Sequence, residues 1–272
     1  MGMSNRHRSR ALIAASAMVL LAGCLAGCNS TPKNPEPPPR VTPPPQQQAS
    51  PAERARMHTD LAAGYYERGQ MAVAIEELNF AVATDANYAP AYNVYGLVYA
   101  MLGDDRKAEQ SFQHALELAP NDSDVHHNWG WYLCQHKRER EALAQFEIAV
   151  SNSLYRTPEI ALVNAGRCAQ TIGDIRAAET YFRRALAAQP GNVLASYGVA
   201  LIAYKEARYE EARRWMRPVV QTTTPPPEAL YLGVCIERKL GDSQAELSYT
   251  SQLRNRYPNS IETKAITTEA CE

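Results

Sequence analysis

A repeat of about 34 residues runs through most of the chain and restricts the folds that it can adopt. An alanine follows each repeated small residue by twelve positions, and a large apolar or aromatic residue follows it by sixteen, as Phe112 follows Gly96. Two helices that cross closely need small residues where their backbones approach and large ones beside them. The pattern therefore predicts one helical hairpin per repeat. The small residues, at intervals of 34, 34, 36, 34 and 33, are Ala62, Gly96, Gly130, Gly166, Ala200 and Gly233.

Turn residues occur where such hairpins need them. Gly69, Gly103 and Gly173 separate the two halves of a repeat, and Pro120 and Pro190 separate successive repeats. The period and the coincident small and aromatic positions resemble the tetratricopeptide repeat, in about six copies. The expected fold is all-α, a right-handed superhelical solenoid whose concave face is lined by the first helix of each repeat. Such surfaces commonly bind peptides or partner helices.

The N-terminal residues have the composition of an export signal. A basic segment, NRHRSR, precedes an apolar run that is shorter than the roughly 20 residues of a membrane-spanning helix. Two successive LAGC motifs follow, ending at Cys24 and Cys28, and both resemble the bacterial lipobox. We predict a lipoprotein signal peptide over residues 1–27. Lipid is expected on Cys28, because polar Asn29 and Ser30 follow it, with Cys24 as the alternative.

The residues after the signal suggest a membrane-tethered domain. Neither candidate cysteine is followed by Asp, which resembles lipoproteins of the outer membrane. Residues 28–51 are rich in proline and lack apolar periodicity, so we expect an extended tether. The repeat domain is expected over residues 52–260 and a C-terminal tail over residues 261–272. These features predict a lipid-anchored protein on the periplasmic face of the outer membrane.

The charge balance argues against nucleic-acid binding. A chain that starts at Cys28 has 25 basic and 29 acidic residues, and so a net charge of about −4. Proteins that bind DNA or RNA gain much of their affinity by neutralising phosphates. We therefore expect no nucleic-acid partner.

The segment HHNWGWYLCQH, residues 126–136, contains residue types that form metal and catalytic sites. By helical spacing, His127, Trp131 and Cys134 share the concave face, whereas Trp129 occupies a packing position. A zinc site needs three or four ligands, and only two converge here. Nucleophilic catalysis by Cys134 with His127 as base lacks identifiable oxyanion donors. We expect no metal, no cofactor, no small-molecule substrate and no enzymatic activity.

The cysteines suggest a disulfide instead. Cys134 and Cys168 fall on the first helices of successive repeats, which pack side by side. An oxidising periplasmic location favours a bond between them, and two buried thiols are the alternative. A pairing of Cys235 with Cys271 is left open.

The pattern NxGWxLC, together with the later LYxxP, is more specific than the generic repeat. Five segments carry a wider similarity: NWGWYLC (128–134), LYRTP (154–158), AGRC (165–168), YKEARY (204–209) and LRNRYPNS (253–260). Together with the lipobox and the tether, they resemble the type IV pilus biogenesis and stability lipoproteins of the PilF/PilW family. The resemblance covers essentially the whole mature domain. Members of the family carry cysteines that match Cys134 and Cys168, which supports the disulfide.

The resemblance implies a pilotin, an outer-membrane lipoprotein that promotes the outer-membrane localisation and multimerisation of the secretin PilQ. The implied partners are PilQ or other type IV pilus assembly proteins. A periplasmic repeat scaffold for cell-wall enzymes or other envelope assemblies is the alternative function.

A partner is expected to bind along the concave groove of the first four repeats. Trp131 is a large aromatic residue that the hairpin core does not need, which suits an interface anchor; packing on the adjacent repeat is the alternative. Leu61, Tyr95 and Trp129 are expected on the packing face. The predicted groove residues are Tyr66, Asn93, Leu97, His127, Trp131 and Arg167.

Overall fold

The computed structural model describes residues 49–266 and 271, and within these residues the regular structure is helical. The first twelve helices form six consecutive antiparallel hairpins, α1 with α2 through to α11 with α12, and a short helix, α13, follows. The six predicted repeats are therefore confirmed. The helices are α1 (Pro51–Glu67), α2 (Met71–Thr84), α3 (Ala89–Leu102), α4 (Asp105–Leu118), α5 (Ser123–Gln135), α6 (Glu139–Ser151), α7 (Pro158–Thr171), α8 (Ile175–Ala188), α9 (Val193–Lys205), α10 (Tyr209–Val220), α11 (Pro227–Leu240), α12 (Ser243–Arg256) and α13 (Ile261–Ala265).

Each hairpin turn contains one residue with a left-handed backbone, directly before the N-cap of the second helix. Glycine adopts this conformation without a steric penalty, whereas other L-residues lose roughly 1–2 kcal/mol. Lys137 (φ 61°) and Ala207 (φ 59°) occupy the position in the third and fifth turns. In the remaining turns it is taken by Gly69, Gly103, Gly173 and Gly241.

The N-cap residue after the turn also differs between the turns that contain glycine and the turns that contain Lys137 or Ala207. After three of the glycines, an aspartate side chain accepts a hydrogen bond from the backbone N–H three residues later, which stabilises the start of the helix. After Lys137 and Ala207 the N-cap is an arginine, Arg138 or Arg208, whose side chain makes no cap. These two arginines bind glutamates of the preceding repeat instead. The capping aspartates are Asp104, Asp174 and Asp242.

The small and large repeat positions meet in the core, as the sequence predicts. A methyl group added to Gly166 would lie 2.7 Å from the ring of Phe182, and one added to Gly198, in the next repeat, would lie 2.6 Å from it. Gly96 stands in the same relation to Phe112, at 2.6 Å. Only a residue without a side chain lets these helices approach so closely.

The residue before the small position packs onto the preceding repeat. Tyr95 and Trp129 are buried there, as predicted, and the Trp129 ring lies 5.4 Å from that of Phe112. The same prediction for Leu61 is wrong, because its side chain is 50% exposed. In the described part of the chain no helix precedes α1, so nothing there covers Leu61.

The ends of the domain differ slightly from the expected boundaries. Helix α1 begins at Pro51, where Ser50 and Glu53 form a reciprocal capping box. Residues 261–266, expected to be part of a tail, form α13 and one further turn residue, and Ile266 is buried against the sixth repeat. This apolar side chain holds the segment on the domain, although the repeat period has ended. None of the helices in the described ranges combines the length and the apolar character needed to cross a bilayer.

Candidate functional site

The first helices carry the candidate binding surface. We define the groove face as the positions three before, one after and four after the small residue of each repeat. Leu97 and Trp131 occupy the middle position on α3 and α5; both are half-buried and pack against the same hydrophobic cluster. Arg167 follows on α7 and is exposed. On α1, Tyr66 is half-buried, and burial raises the pKa of its hydroxyl.

Asn93 does not lie open on this surface, which corrects its predicted place at the centre of the groove. Its side chain is only 7% exposed. The Asn128 amide nitrogen of α5 donates to its Oδ1 at 3.2 Å. A buried polar side chain needs such a partner, and through this bond Asn93 joins neighbouring first helices.

His127 makes the corresponding connection one repeat later. The Asn164 amide nitrogen of α7 lies 2.9 Å from its Nε2, and the Tyr155 hydroxyl lies 3.1 Å from its Nδ1. With the amide donating to Nε2, the ring is neutral and its proton is on Nδ1. Burial lowers the pKa of His127 to about 4, so the groove face carries no histidine cation at this point at neutral pH.

Tyr155 and Asn164 are not among the predicted site residues, yet both position His127. Tyr155 lies in the connection between α6 and α7, within the repeat that is two residues longer than the usual 34. The longer connection brings Tyr155 back over α5. The interval of 36 residues between Gly130 and Gly166 is the sequence signal that marks this loop.

A disulfide joins Cys134 to Cys168, with 5.9 Å between their Cα atoms. It links the first helices of the third and fourth repeats, as the sequence predicts. In this form Cys134 has no thiolate to act as a nucleophile with His127. The predicted lipidation residues, Cys24 and Cys28, lie outside the described residues.

The other histidines of the segment 126–136 have structural partners. His126 is buried, with Nδ1 2.7 Å from the Gln145 side-chain oxygen and Nε2 2.9 Å from the Pro120 carbonyl. His136 ends α5 and contacts Asp105 of the preceding repeat at 3.0 Å. The described residues contain no group of three or more side chains suited to a metal ion.

A second disulfide, between Cys235 and Cys271, lies at the other end of the domain. In the repeat frame Cys235 corresponds to Cys168, and Tyr204 stands where Cys134 stands in the third repeat. The sixth repeat therefore finds its disulfide partner in the C-terminal segment instead of on the preceding first helix. The Tyr204 hydroxyl donates to the Cys271 carbonyl at 2.6 Å, which holds the same segment against α9.

A cavity of about 300 Å³ lies between α9, α11 and α13. Tyr197, Leu201 and Tyr204 of α9 form one wall, at the three groove-face positions of the fifth repeat. Sequence reasoning missed this cavity because two of its walls, α13 and Cys271, follow the last repeat. The tyrosines at groove-face positions 197 and 204 are the signal that could have indicated it.

Comparisons with known proteins agree with this architecture. Tetratricopeptide-repeat models match residues 89–122, 163–223 and 229–260. The chain is 26% identical over 251 residues to the type IV pilus assembly protein PilF of Pseudomonas aeruginosa, covering 92% of this chain and 96% of that protein.

Two solved structures of pilus proteins superpose on the repeat domain. The crystal structure of PilW, a widely conserved type IV pilus biogenesis factor, superposes with a TM-score of 0.69 at 29% identity, over 78% of this chain and 98% of PilW. The structure of Pseudomonas aeruginosa PilF superposes with a TM-score of 0.74 at 25% identity, over 80% and 99%. The chain thus contains tetratricopeptide repeats and is similar to the pilus factors PilF, over 92% of its length, and PilW, over 78%.

Proposed function

We propose that this chain acts in type IV pilus biogenesis as a pilotin, a non-enzymatic adaptor that promotes outer-membrane localisation and multimerisation of the secretin PilQ. The observation that carries the proposal is the extent of the similarity to PilF, which covers 92% of this chain and 96% of the relative. A similarity limited to the generic repeats would support only a protein-binding role.

The proposed location is the periplasmic face of the outer membrane, with a lipid anchor on Cys28 or Cys24. The tandem LAGC sequence after a basic and apolar leader supports it. Mass spectrometry of the mature N-terminus distinguishes the two cysteines. A native protein that carries no lipid would contradict this part of the proposal.

The proposed partner surface is the groove face of the first four repeats. Trp131 is half-buried, so part of its ring packs against the domain and part faces outward. An aromatic side chain that is held rigidly by its neighbours suits an interface anchor, because little rotamer entropy is lost on binding. The exposed Arg167 on the next first helix adds a positive charge.

Deletion of the gene is the first test. We expect loss of pili, with the secretin left as monomers. Normal secretin multimers combined with altered division or lysis would instead support the alternative, a scaffold for cell-wall enzymes.

The groove assignment is tested by comparing Trp131→Ala with Trp215→Ala, a second half-buried tryptophan that lies on α10, a second helix. We expect Trp131→Ala to weaken binding of purified PilQ by about 2 kcal/mol or more. Trp215→Ala should leave the affinity unchanged. If Trp131→Ala lowers the thermal stability and leaves the affinity of the folded fraction intact, Trp131 belongs to the core and the groove is elsewhere.

A further inference from the structure

The cavity between α9, α11 and α13 has the form of a pocket for one side chain. Its volume of about 300 Å³ is at the lower limit of sites that enclose a whole small molecule. Its walls are apolar and aromatic: Leu201 and Leu232 face it together with Tyr197, Tyr204 and Tyr231. Such a composition favours an aromatic or large aliphatic group over a polar ligand.

The walls of the pocket are fixed in place. Tyr204 donates to the Cys271 carbonyl, and Cys271 is bonded to Cys235 of α11. Leu232 belongs to the buried cluster between the fifth and sixth repeats. A preformed apolar pocket binds a side chain without first ordering its own walls, which reduces the entropic cost of binding.

One side of the mouth is acidic. Glu228, in the first turn of α11, and Glu262 of α13 both line the cavity beside Tyr197. Burial raises the pKa of Tyr197, and these two carboxylates raise it further. Lys205, at the end of α9, lines the cavity eight residues from Tyr197, about 12 Å along the helix. The charge beside Tyr197 is therefore negative and suits a cation next to the apolar group.

We propose that this cavity, here called the C-terminal pocket, binds an aromatic or large aliphatic side chain of a partner peptide that has a lysine or arginine next to it. The apolar side chain enters between Leu201 and Leu232, and the basic residue meets Glu228 and Glu262. The pocket continues the groove face into the fifth and sixth repeats, but its binding does not require that the groove of the first four repeats is occupied.

The probe is a short acetylated and amidated peptide with a central Lys-Phe-Lys in a Gly-Ser background. Two matched peptides carry Lys-Ala-Lys or Glu-Phe-Glu instead. Binding to the full chain is measured by the NMR shifts of the tyrosine rings. We expect the Lys-Phe-Lys peptide to bind about tenfold more tightly than either control, a difference of about 1.4 kcal/mol.

Variants of the protein locate the site. Leu201→Trp fills the pocket and should abolish binding, whereas Glu228→Gln with Glu262→Gln should remove the preference for lysine over glutamate and leave the folded structure unchanged, since Glu228 is exposed and Glu262 is half-buried. Trp131→Ala should not affect this peptide, which separates the pocket from the proposed PilQ groove.

A photo-crosslinking analogue, with benzoylphenylalanine in place of phenylalanine, provides a measurement that does not depend on the folding of variants. We expect crosslinks to α9, α11 or α13. Crosslinks to α1–α7 alone, equal binding of all three peptides, or unchanged binding to a folded Leu201→Trp variant would overturn the proposal.

Discussion

Arg208 donates from Nη2 to Oε2 of Glu179 at 3.0 Å and thereby joins the fifth repeat to the fourth. Glu211 binds the same arginine, and Arg183 contacts both glutamates, at 2.6 and 2.5 Å. Burial opposes ionisation of Glu211, but the two guanidinium groups outweigh this effect and lower its pKa. Glu206 also contacts Arg208, at 2.7 Å, so five side chains form one network across the junction of the two repeats.

Removal of Arg208 should therefore destabilise the domain. Arg208→Gln leaves two neighbouring carboxylates with a single cation, and because the pairs are partly exposed we expect a loss of about 1–2 kcal/mol in the free energy of unfolding. Urea denaturation measures it, with exposed Arg140→Gln as the control. Equal stability of the two variants would show that the network contributes nothing measurable.

Ala207→Gly should stabilise the domain. Ala207 has a positive φ of 59° in a turn where the corresponding residue in four other hairpins is glycine. Glycine removes the steric cost of the left-handed backbone in the folded state, and this gain exceeds the loss caused by the greater entropy of the unfolded chain. The free energy of unfolding should therefore rise by up to about 1 kcal/mol. The reverse change in an equivalent turn, Gly103→Ala, should cost a similar amount. A loss of stability in Ala207→Gly, measured by urea denaturation, would contradict the explanation.

The Cys134–Cys168 bond should stabilise the third and fourth repeats. Its cysteines are 34 residues apart, and a loop of this length corresponds to about 3–4 kcal/mol in the chain-entropy model. The double variant Cys134→Ser with Cys168→Ser should lower the free energy of unfolding by up to that amount. Non-reducing peptide mapping is the direct check, and two free thiols in periplasmic protein would refute the bond.

His127 should make stability depend on pH. Its folded-state pKa of about 4 lies below the value of about 6.5 in the unfolded chain, so the unfolded chain binds this proton more tightly. The contribution is fully present above pH about 6.5 and is lost as the pH falls toward 4. We expect His127→Gln to reduce the loss of stability over this range by about 1–3 kcal/mol. The free energy of unfolding is measured against pH for both proteins. Parallel curves would show that His127 does not cause the pH dependence.

The repeat period was sufficient to predict most of the fold. The spacing of small and large residues predicts the contacts inside each hairpin, such as that of Gly166 with the Phe182 ring. Two details of the first two repeats were not predictable in this way. Asn93 is buried because its partner, Asn128, comes from the next repeat, and Leu61 is exposed because no described helix precedes it. The repeat pattern assigns the same environment to equivalent positions in every repeat, so it cannot show that Asn93 or Leu61 differs from the others.

The candidate site was less predictable than the fold. The cysteine positions indicated the Cys134–Cys168 pair, since both lie on adjacent first helices. The C-terminal pocket depends on where α13 and Cys271 return to the domain, and no periodic pattern specifies that path. Contacts made by residues outside the repeat pattern could therefore be identified only from the structure.

The Cys235–Cys271 bond has a consequence for the order in which the domain opens. Linear repeat arrays are held by contacts between neighbours, so they normally fray from both ends. Here the bond closes a covalent loop that contains α12 and α13, so the end of the described chain stays joined to α11 while the bond is intact. Hydrogen exchange should then be asymmetric, with amides of α1 and α2 losing protection before those of α11, and reduction of the disulfide should remove the difference.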